Sequence, residues 1–266
     1  MKRWIPFLKS GPTVAVLRLN GMIATGARLG ALNDAGMAPL IERAFVRGKP
    51  DAVALVINSP GGSPVQSSLI AARIRRLADE KNLKVYAFVE DVAASGGYWL
   101  ATAADEIWLD ASSITGSIGV ISAGFGFHEL IAKYGVERRV YTAGKSKSML
   151  DPFRPERSED VAKVRDLQDS IHQRFIEQVT VRRGTRLSSD QDLFTGDVWV
   201  GQGAVDVGLA DGIGHVVPKM KEVFGDKVRF LAYGQKRGLF QRLGARVADD
   251  ATGLIEERGL FARYGL

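Results

Sequence analysis

Short apolar runs alternate with polar, glycine-containing turns along the first half of the chain, and this pattern predicts alternating strands and helices. The runs that predict strands are Thr13–Leu19 (TVAVLRL), Asp51–Asn58 (DAVALVIN), Lys84–Val89 (KVYAFV) and Ile107–Leu109. The second run is almost continuously apolar, which is typical of a strand buried on both faces. After it, Ser63–Lys81 predicts a helix with Ser63 as N-cap and Pro64 in the first turn. The expected apolar face of this helix is Val65, Leu69, Ile70, Ile74, Leu77 and Ala78.

The second half of the chain is less regular. Residues Thr115–Phe127 are rich in glycine and β-prone. Further predicted elements are helices at Tyr98–Ala104, Glu129–Lys133, Ser158–Arg183 and Val217–Val223 and a strand at Glu137–Thr142. The alternation of strands and helices predicts an α/β domain whose mostly parallel sheet is flanked by helices.

A change of composition after Tyr233 divides the chain. We expect residues 1–235 to form one domain, with a core of about 13–225, and residues 236–266 to form a C-terminal amphipathic appendage. Two stretches of this appendage, GLFQRLGARV (Gly238–Val247) and GLFARYGL (Gly259–Leu266), mix leucine and phenylalanine with arginine. This mixture is typical of helices that lie on a membrane surface or that pack on their own oligomer.

Composition excludes several classes of chemistry. The 266 residues include no cysteine, so disulfides, thiolate metal sites and a cysteine nucleophile are excluded. The three histidines have no metal-ligand spacing, and neither a metal nor another cofactor is indicated. The net charge of +6 comes without an aromatic-basic motif, so we expect no nucleic-acid partner.

The apolar pattern also bears on where the protein is located. The N-terminal apolar run is about five residues long, which is too short for a signal peptide. No window approaches a membrane span of 18 or more apolar residues. We therefore expect a cytoplasmic protein, or one that contacts the inner face of the membrane peripherally through its C-terminal appendage.

The stretch DVAASGGYW (Asp91–Trp99) carries the candidate chemistry. It places Ser95 between small residues, after a predicted strand and before a predicted helix. A serine at such a turn has an exposed hydroxyl and is followed by unpaired amides, so Ser95 is a candidate nucleophile. A second turn, SPGG (Ser59–Gly62), follows the neighbouring strand, and an amide from it together with that of Gly96 would form an oxyanion hole.

A lysine can act as a general base only when its amine is neutral. The segment YTAGKSKSMLDPF offers Lys145 and Lys147 as candidates for the base. A solvated surface charge is the alternative for each of them. Residue patterns alone leave this choice open.

Four segments, INSPGG (Ile57–Gly62), AASGGYW (Ala93–Trp99), TGSIGV (Thr115–Val120) and KSMLDPF (Lys147–Phe153), resemble the signal peptide peptidase A (protease IV) family in their order. A fifth, Val198–Gly214, is similar to the carboxyl-terminal signature of that family. This is a family of serine–lysine peptidases with the β-α superhelix fold of the Clp protease and the crotonases. The resemblance therefore implies that fold, and a serine endopeptidase that acts on extended peptides such as signal-peptide remnants or unfolded segments.

The resemblance also implies the roles of individual residues. Ser95 matches the nucleophile, and Lys147 matches the base because it stands five residues before Pro152. Ser117 matches a serine that orients the lysine, and Gly62 and Gly96 match the oxyanion-hole amides. Members of the family form rings or domes, so a homo-oligomer is implied, with the dyad formed either within or between subunits. Two alternatives stay open: a crotonase-like acyl-CoA hydratase or isomerase, and a non-catalytic assembly factor.

Overall fold

The computed structural model describes residues 11–26, 31–234 and 258–266. The strands are β1 (Thr13–Asn20), β2 (Ala52–Ser59), β3 (Lys84–Ala94), β4 (Glu106–Leu109), β5 (Ile114–Gly116), β6 (Val198–Val200), β7 (Gly212–Ile213) and β8 (Arg229–Tyr233). The helices are α1 (Asp34–Val46), α2 (Pro64–Lys81), α3 (Gly96–Ala101), α4 (His128–Lys133), α5 (Ser158–Arg183), α6 (Gln202–Asp206) and α7 (Val216–Phe224), and a 3₁₀ turn covers Gly184–Arg186.

In the described residues the strands form one mostly parallel sheet in the order β6-β5-β3-β2-β1-β8, while β4 pairs with both β3 and β7. The β5–β6 pair is antiparallel, and the other pairs are parallel. The predicted α/β class with a mostly parallel sheet flanked by helices is thus confirmed.

Alternate residues of the central strands point to opposite faces of the sheet and build two cores. In β2, for example, Val53, Leu55 and Ile57 belong to the larger core, which also holds buried residues of α1, α2, α3 and α5. Ala54 and Val56 belong to the smaller core, which is covered by α7 through Met220 and Phe224. Burial on both faces explains why β2 reads as a continuous apolar run.

Several predicted elements differ in detail from the structure; the helix predicted at Tyr98–Ala104, for example, covers Gly96–Ala101. The side chain of Ser63 does cap α2, accepting a hydrogen bond from the Gln66 amide at 3.4 Å, but Val65 and Leu69 are exposed and do not belong to its buried face. The strand predicted at Glu137–Thr142 is wrong, because these residues form no regular element and pair with no strand. Helix α1 was not predicted, although Asn33 caps it by accepting from the Gly36 amide at 2.8 Å.

The C-terminal appendage is described only in part. Residues 235–257, which include the proposed boundary near residue 235 and the Gly238–Val247 stretch, lie outside the described residues. Residues 258–262 are helical, and a turn follows them. In the described part of the chain, no helix combines the length and the apolar character that a membrane crossing requires.

Candidate active site

The carboxyl ends of three neighbouring parallel strands meet at one edge of the sheet. β2 pairs with β3 up to the Ser59–Ala93 partners, and β3 pairs with β5 up to the Ala94–Gly116 partners. Ser95 and Ser117 therefore follow directly on paired residues and lie side by side. α/β folds place their ligand sites at such an edge, because loops from different strands converge there.

Ser95 stands at a sharp turn between β3 and α3. Its φ of 52° and ψ of −122° are left-handed values that a residue with a side chain rarely adopts. The Ser95 amide donates to the carbonyl of Gly116 at 2.8 Å, and the Ser95 carbonyl accepts from the Trp99 amide at 3.0 Å. These two bonds hold the strained turn, which is the backbone arrangement of a nucleophile elbow.

The SPGG turn packs directly against the Ser95 turn. A β-carbon added to Gly61 would stand 2.8 Å from the Gly96 nitrogen and 2.9 Å from the β-carbon of Ser95. One added to Gly96 would lie 3.4 Å from the Gly62 nitrogen and would collide with the Ser67 hydroxyl. The structure thus brings the two predicted oxyanion-hole amides to one place beside the Ser95 side chain. In the described ranges, neither amide has a hydrogen-bond acceptor of its own.

A cavity of about 540 Å³, which we call the Ser95 cleft, opens at this edge. Its lining includes Ser95, Gly62 and Ser117, so three of the predicted site residues share it. Ser117 has a φ of 51°, and its amide donates to the Asp197 carbonyl at 2.6 Å. The remaining described lining consists of Pro60, Pro64, Gly119, Val120, Ile121, His172, Thr195, Gly196, Leu260, Arg263 and Tyr264.

The C-terminal segment 258–266 lies over this cleft. Leu260, Arg263 and Tyr264 line it, and the Tyr264 hydroxyl lies 3.4 Å from the Ser117 hydroxyl. The sequence predicted that the Gly259–Leu266 stretch lies on a membrane surface or packs on its own oligomer, whereas the structure places it against the Ser95 cleft of the same chain.

Helix α3, which begins directly after Ser95, is held firmly at its sides. The Tyr98 hydroxyl donates to the Leu209 carbonyl at 2.8 Å, and burial raises the pKa of Tyr98, which keeps the hydroxyl neutral. The Trp99 ring stacks on Phe175 of α5 with 4.9 Å between ring centroids. These contacts fix the helix whose first amide belongs to Gly96.

Lys147 is not brought to Ser95 within this protomer. It lies exposed in a turn around residues 145–150 and is not among the described residues that line the Ser95 cleft. No hydrogen bond or ion pair joins its amine to any described residue. Lys145, the other candidate, lies 3.5 Å from the Glu159 carboxylate in an exposed ion pair.

One of the three histidines lies at the candidate site, although none of the motifs in the sequence includes it. His172 lines the Ser95 cleft, and its Nε2 lies 3.0 Å from the carbonyl oxygen of Ile118. The signal available in the sequence was its helical spacing from Phe175 and Val179, which are buried on the same face of α5.

A strained serine beside two amides that have no acceptor among the described residues is typical of serine-type peptidases, and comparisons with known proteins identify the family. Residues 78–223 match the model of peptidase family S49. The "Putative signal peptide peptidase SppA" of Enterococcus faecium is 33% identical over 61% of this chain and 47% of that protein. The chloroplastic "Serine protease SPPA" of Arabidopsis thaliana is 31% identical over 80% of this chain and 32% of that protein.

The chain therefore belongs to peptidase family S49, a family of serine-type peptidases, as the resemblance in its motifs implied. A Brucella melitensis protein named "Na(+)/H(+) antiporter NhaA" is 46% identical over 100% of this chain but over only 39% of its own length. The chain thus spans between 32% and 47% of these three relatives. A solved structure of a membrane-bound stomatin-specific protease matches with a TM-score of 0.50 at 12% identity, covering 85% of this chain and 99% of that one. At this identity the likeness concerns the fold alone.

Proposed function

We propose that the protein is a serine endopeptidase that hydrolyses extended peptides, such as signal-peptide remnants or unfolded segments, with Ser95 as nucleophile and Lys147 as general base. The observation that carries this proposal is the strained Ser95 turn, which packs against the Gly62 and Gly96 amides. Strain at a serine is retained where the surrounding structure enforces it, and such positions cluster at reactive sites.

The reaction is an acyl transfer in two stages. The neutral amine of Lys147 removes the Ser95 hydroxyl proton while the serine oxygen bonds to the peptide carbonyl carbon. The amides of Gly62 and Gly96 stabilise the resulting oxyanion. The carbon–nitrogen bond then breaks, and the lysine ammonium gives its proton to the leaving amine. The neutral lysine then removes a proton from water, and the resulting hydroxide bonds to the acyl carbon. The bond from this carbon to the Ser95 oxygen breaks, and the lysine ammonium returns its proton to that oxygen.

We further propose that Lys147 acts on Ser95 of a neighbouring copy of the chain. Its amine is exposed and is free of hydrogen bonds and ion pairs to the described residues. The segment that carries it, residues 119–157, exposes several large apolar side chains, namely Ile121, Phe125, Leu130, Tyr134, Val136 and Tyr141. A single folded chain rarely exposes so many apolar side chains together. This exposure supports a homo-oligomer in which a second copy covers them.

The lining of the Ser95 cleft favours peptides over acyl-CoA substrates. Pro64, Val120 and Ile121 offer apolar walls that suit small or hydrophobic side chains. An acyl-CoA hydratase or isomerase would need a catalytic carboxylate, and the described lining contains no aspartate or glutamate. The proposed chemistry requires neither a metal nor another cofactor.

Two single substitutions test the proposal. We expect Ser95→Ala and Lys147→Ala each to abolish cleavage of an unfolded protein or a fluorogenic peptide, because one removes the nucleophile and the other the base. Lys145→Ala is the matched control for the neighbouring lysine and should retain activity, since its partner is the surface residue Glu159. Undiminished cleavage by either site variant, or turnover of an acyl-CoA thioester by the wild type, would overturn the proposal.

A further inference from the structure

Helix α5 braces the candidate active site along one of its faces. This face buries Phe175, Val179 and Arg183. The Phe175 ring stacks on Trp99 of α3, the helix that begins directly after Ser95. His172 lies one turn before Phe175 on the same face, because residues three or four apart are neighbours on a helix. Its side chain therefore reaches the Ser95 cleft, whose wall it forms with Val120.

The imidazole of His172 makes a specific contact there. Its Nε2 lies 3.0 Å from the carbonyl oxygen of Ile118. A carbonyl oxygen can only accept, so Nε2 carries the hydrogen and the bond fixes the tautomer. That nitrogen therefore has no lone pair with which to take a proton from Ser95.

The carbonyl that accepts this bond belongs to the residue directly after Ser117. The Ser117 backbone is strained, with a φ of 51°, and its amide is held by the Asp197 carbonyl at 2.6 Å. The Ile118 side chain is fully buried, so it fixes the chain beyond Ser117. The chain around Ser117 is thus fixed by the bond to the Asp197 carbonyl, by the burial of Ile118 and by the bond from His172. Among these three contacts, the bond from His172 is made by a side chain that also lines the Ser95 cleft.

We propose that His172 is a positioning residue: by donating to the Ile118 carbonyl, it holds the Ser117 hydroxyl in the orientation that receives the amine of Lys147. This inference rests on the proposed Ser95–Lys147 chemistry and adds to it a residue outside the family motifs. His172 acts through Ser117 and not as a base through Nε2, so its loss weakens the orientation of the base rather than the binding of the peptide.

Two substitutions at residue 172 separate the hydrogen bond from the bulk of the ring. The amide nitrogen of glutamine stands about as far along the side chain as Nε2, so His172→Gln keeps the donor. Leucine fills similar space without a donor. We expect His172→Leu to lower kcat about tenfold with KM within about twofold, and His172→Gln to retain kcat within about threefold.

A double-mutant cycle with Ser117→Ala tests whether the effect passes through that hydroxyl. If it does, His172→Leu costs little further activity once Ser117 is alanine, because coupled residues are not additive. Gln178→Leu is the matched control. It removes another hydrogen bond from α5 to the core, 3.0 Å to the Thr102 hydroxyl, at the far end of α3. Its effect should be independent of Ser117.

Three results would overturn the inference: wild-type kcat in His172→Leu, equal losses in His172→Leu and His172→Gln at matched thermal stability, or full additivity with Ser117→Ala. Each of these results is compatible with inactive Ser95→Ala and Lys147→Ala variants. Failure of the positioning role is therefore distinguishable from failure of the proposed function, in which those two variants would stay active.

Discussion

The backbone of Ser95 and Ser117 stores strain at the place where chemistry is proposed. Residues with side chains in left-handed conformations cost about 1–3 kcal/mol each and persist only where neighbouring contacts enforce them. Here the contacts are the bonds from the Ser95 amide to Gly116 and from the Ser117 amide to Asp197, at 2.8 and 2.6 Å. Because both serines follow paired residues of β3 and β5, one pair of strands sets both positions.

The residue patterns located Ser95 but did not locate all of its surroundings. The small residues of AASGG and SPGG predicted a close approach of two turns, and the structure places them in contact. The sequence contained no sign of the positive φ of Ser95 and Ser117, because backbone strain arises from tertiary contacts. It also gave no reason to connect His172 with Ile118, which lie 54 residues apart.

Gly62 offers a direct test at the residue scale. Its φ of 136° is strained for any other residue, and an added β-carbon would collide with the backbone of Ile23. We expect Gly62→Ala to displace the turn and to lower the cleavage rate by a factor of about 10²–10³, which is the loss typical of removing one oxyanion-hole donor. Gly203→Ala in α6 is the control, since nothing lies within 4 Å of its added carbon. Wild-type activity and melting temperature in Gly62→Ala would contradict this account of the turn.

At the scale of elements, the ion pair of Arg183 and Asp211 connects α5 to the loop before β7, with 2.7 Å between the groups. Burial raises the pKa of the Asp211 carboxyl, but hydrogen bonds from Arg183 and the Ile107 amide outweigh burial, so the pKa lies below its ordinary value. A lowered pKa means that the native state favours the charged form. Its stabilising contribution is therefore present above about pH 4 and is lost as the pH falls through the native-state pKa.

We expect Asp211→Asn to reduce the free energy of unfolding at pH 7 by about 3 kcal/mol, because it leaves the buried Arg183 charge without its partner. Urea unfolding at pH 7, 5 and 3.5 measures this, and the difference from wild type should shrink at the lowest pH. A difference that stays constant with pH would mean that the ionised pair is not the source of the stabilisation.

The C-terminal segment 258–266 is a further element whose contacts have a measurable consequence. Because Leu260, Arg263 and Tyr264 line the Ser95 cleft, the segment takes up space that a substrate needs. We expect a chain that ends at Glu257 to cleave peptides with a KM several-fold lower, and the peptide RGLFARYGL added in trans to inhibit it competitively. Steady-state kinetics of the two chains measure this, and an unchanged KM would argue against occupancy of the cleft in solution.

Element prediction succeeded where burial patterns are strong. The strands β1 to β4 and helices α2 and α5 follow from apolar runs and capping residues such as Ser63. The predictions failed at Glu137–Thr142, where β-prone residues meet no partner strand, and at α1, whose interior contains Gly36 and Pro39, two residues that disfavour a helix. Both failures reflect tertiary context, which decides whether a local preference is realised.

At the scale of the whole molecule, the exposed apolar side chains of residues 119–157 support the proposed homo-oligomer. Stacking of Phe127 on Phe153, with 5.6 Å between ring centroids, joins the two ends of this segment and holds it together. The outer side chains Phe125 and Tyr141 are 81% and 91% exposed. An oligomer that buries them would also carry Lys147 towards a neighbouring copy.

We expect the double substitution Phe125→Asp and Tyr141→Asp to dissociate the oligomer and abolish cleavage while leaving the helical content unchanged, because two buried charges disfavour association. Val181→Asp, at a similarly exposed apolar position on α5, is the control and should leave the assembly intact. Sedimentation velocity and circular dichroism measure these outcomes. A wild type that sediments as a monomer and yet cleaves peptides would contradict a shared active site.

The most direct test of the shared Ser95–Lys147 dyad is complementation between two inactive variants. Ser95→Ala and Lys147→Ala chains are mixed in equal amounts and allowed to exchange subunits. The mixture should recover about a quarter of wild-type peptidase activity, because about one contact in four between neighbouring chains then joins an intact Ser95 to an intact Lys147. If oligomers that are shown to contain both variants remain inactive, then the dyad is not formed between chains.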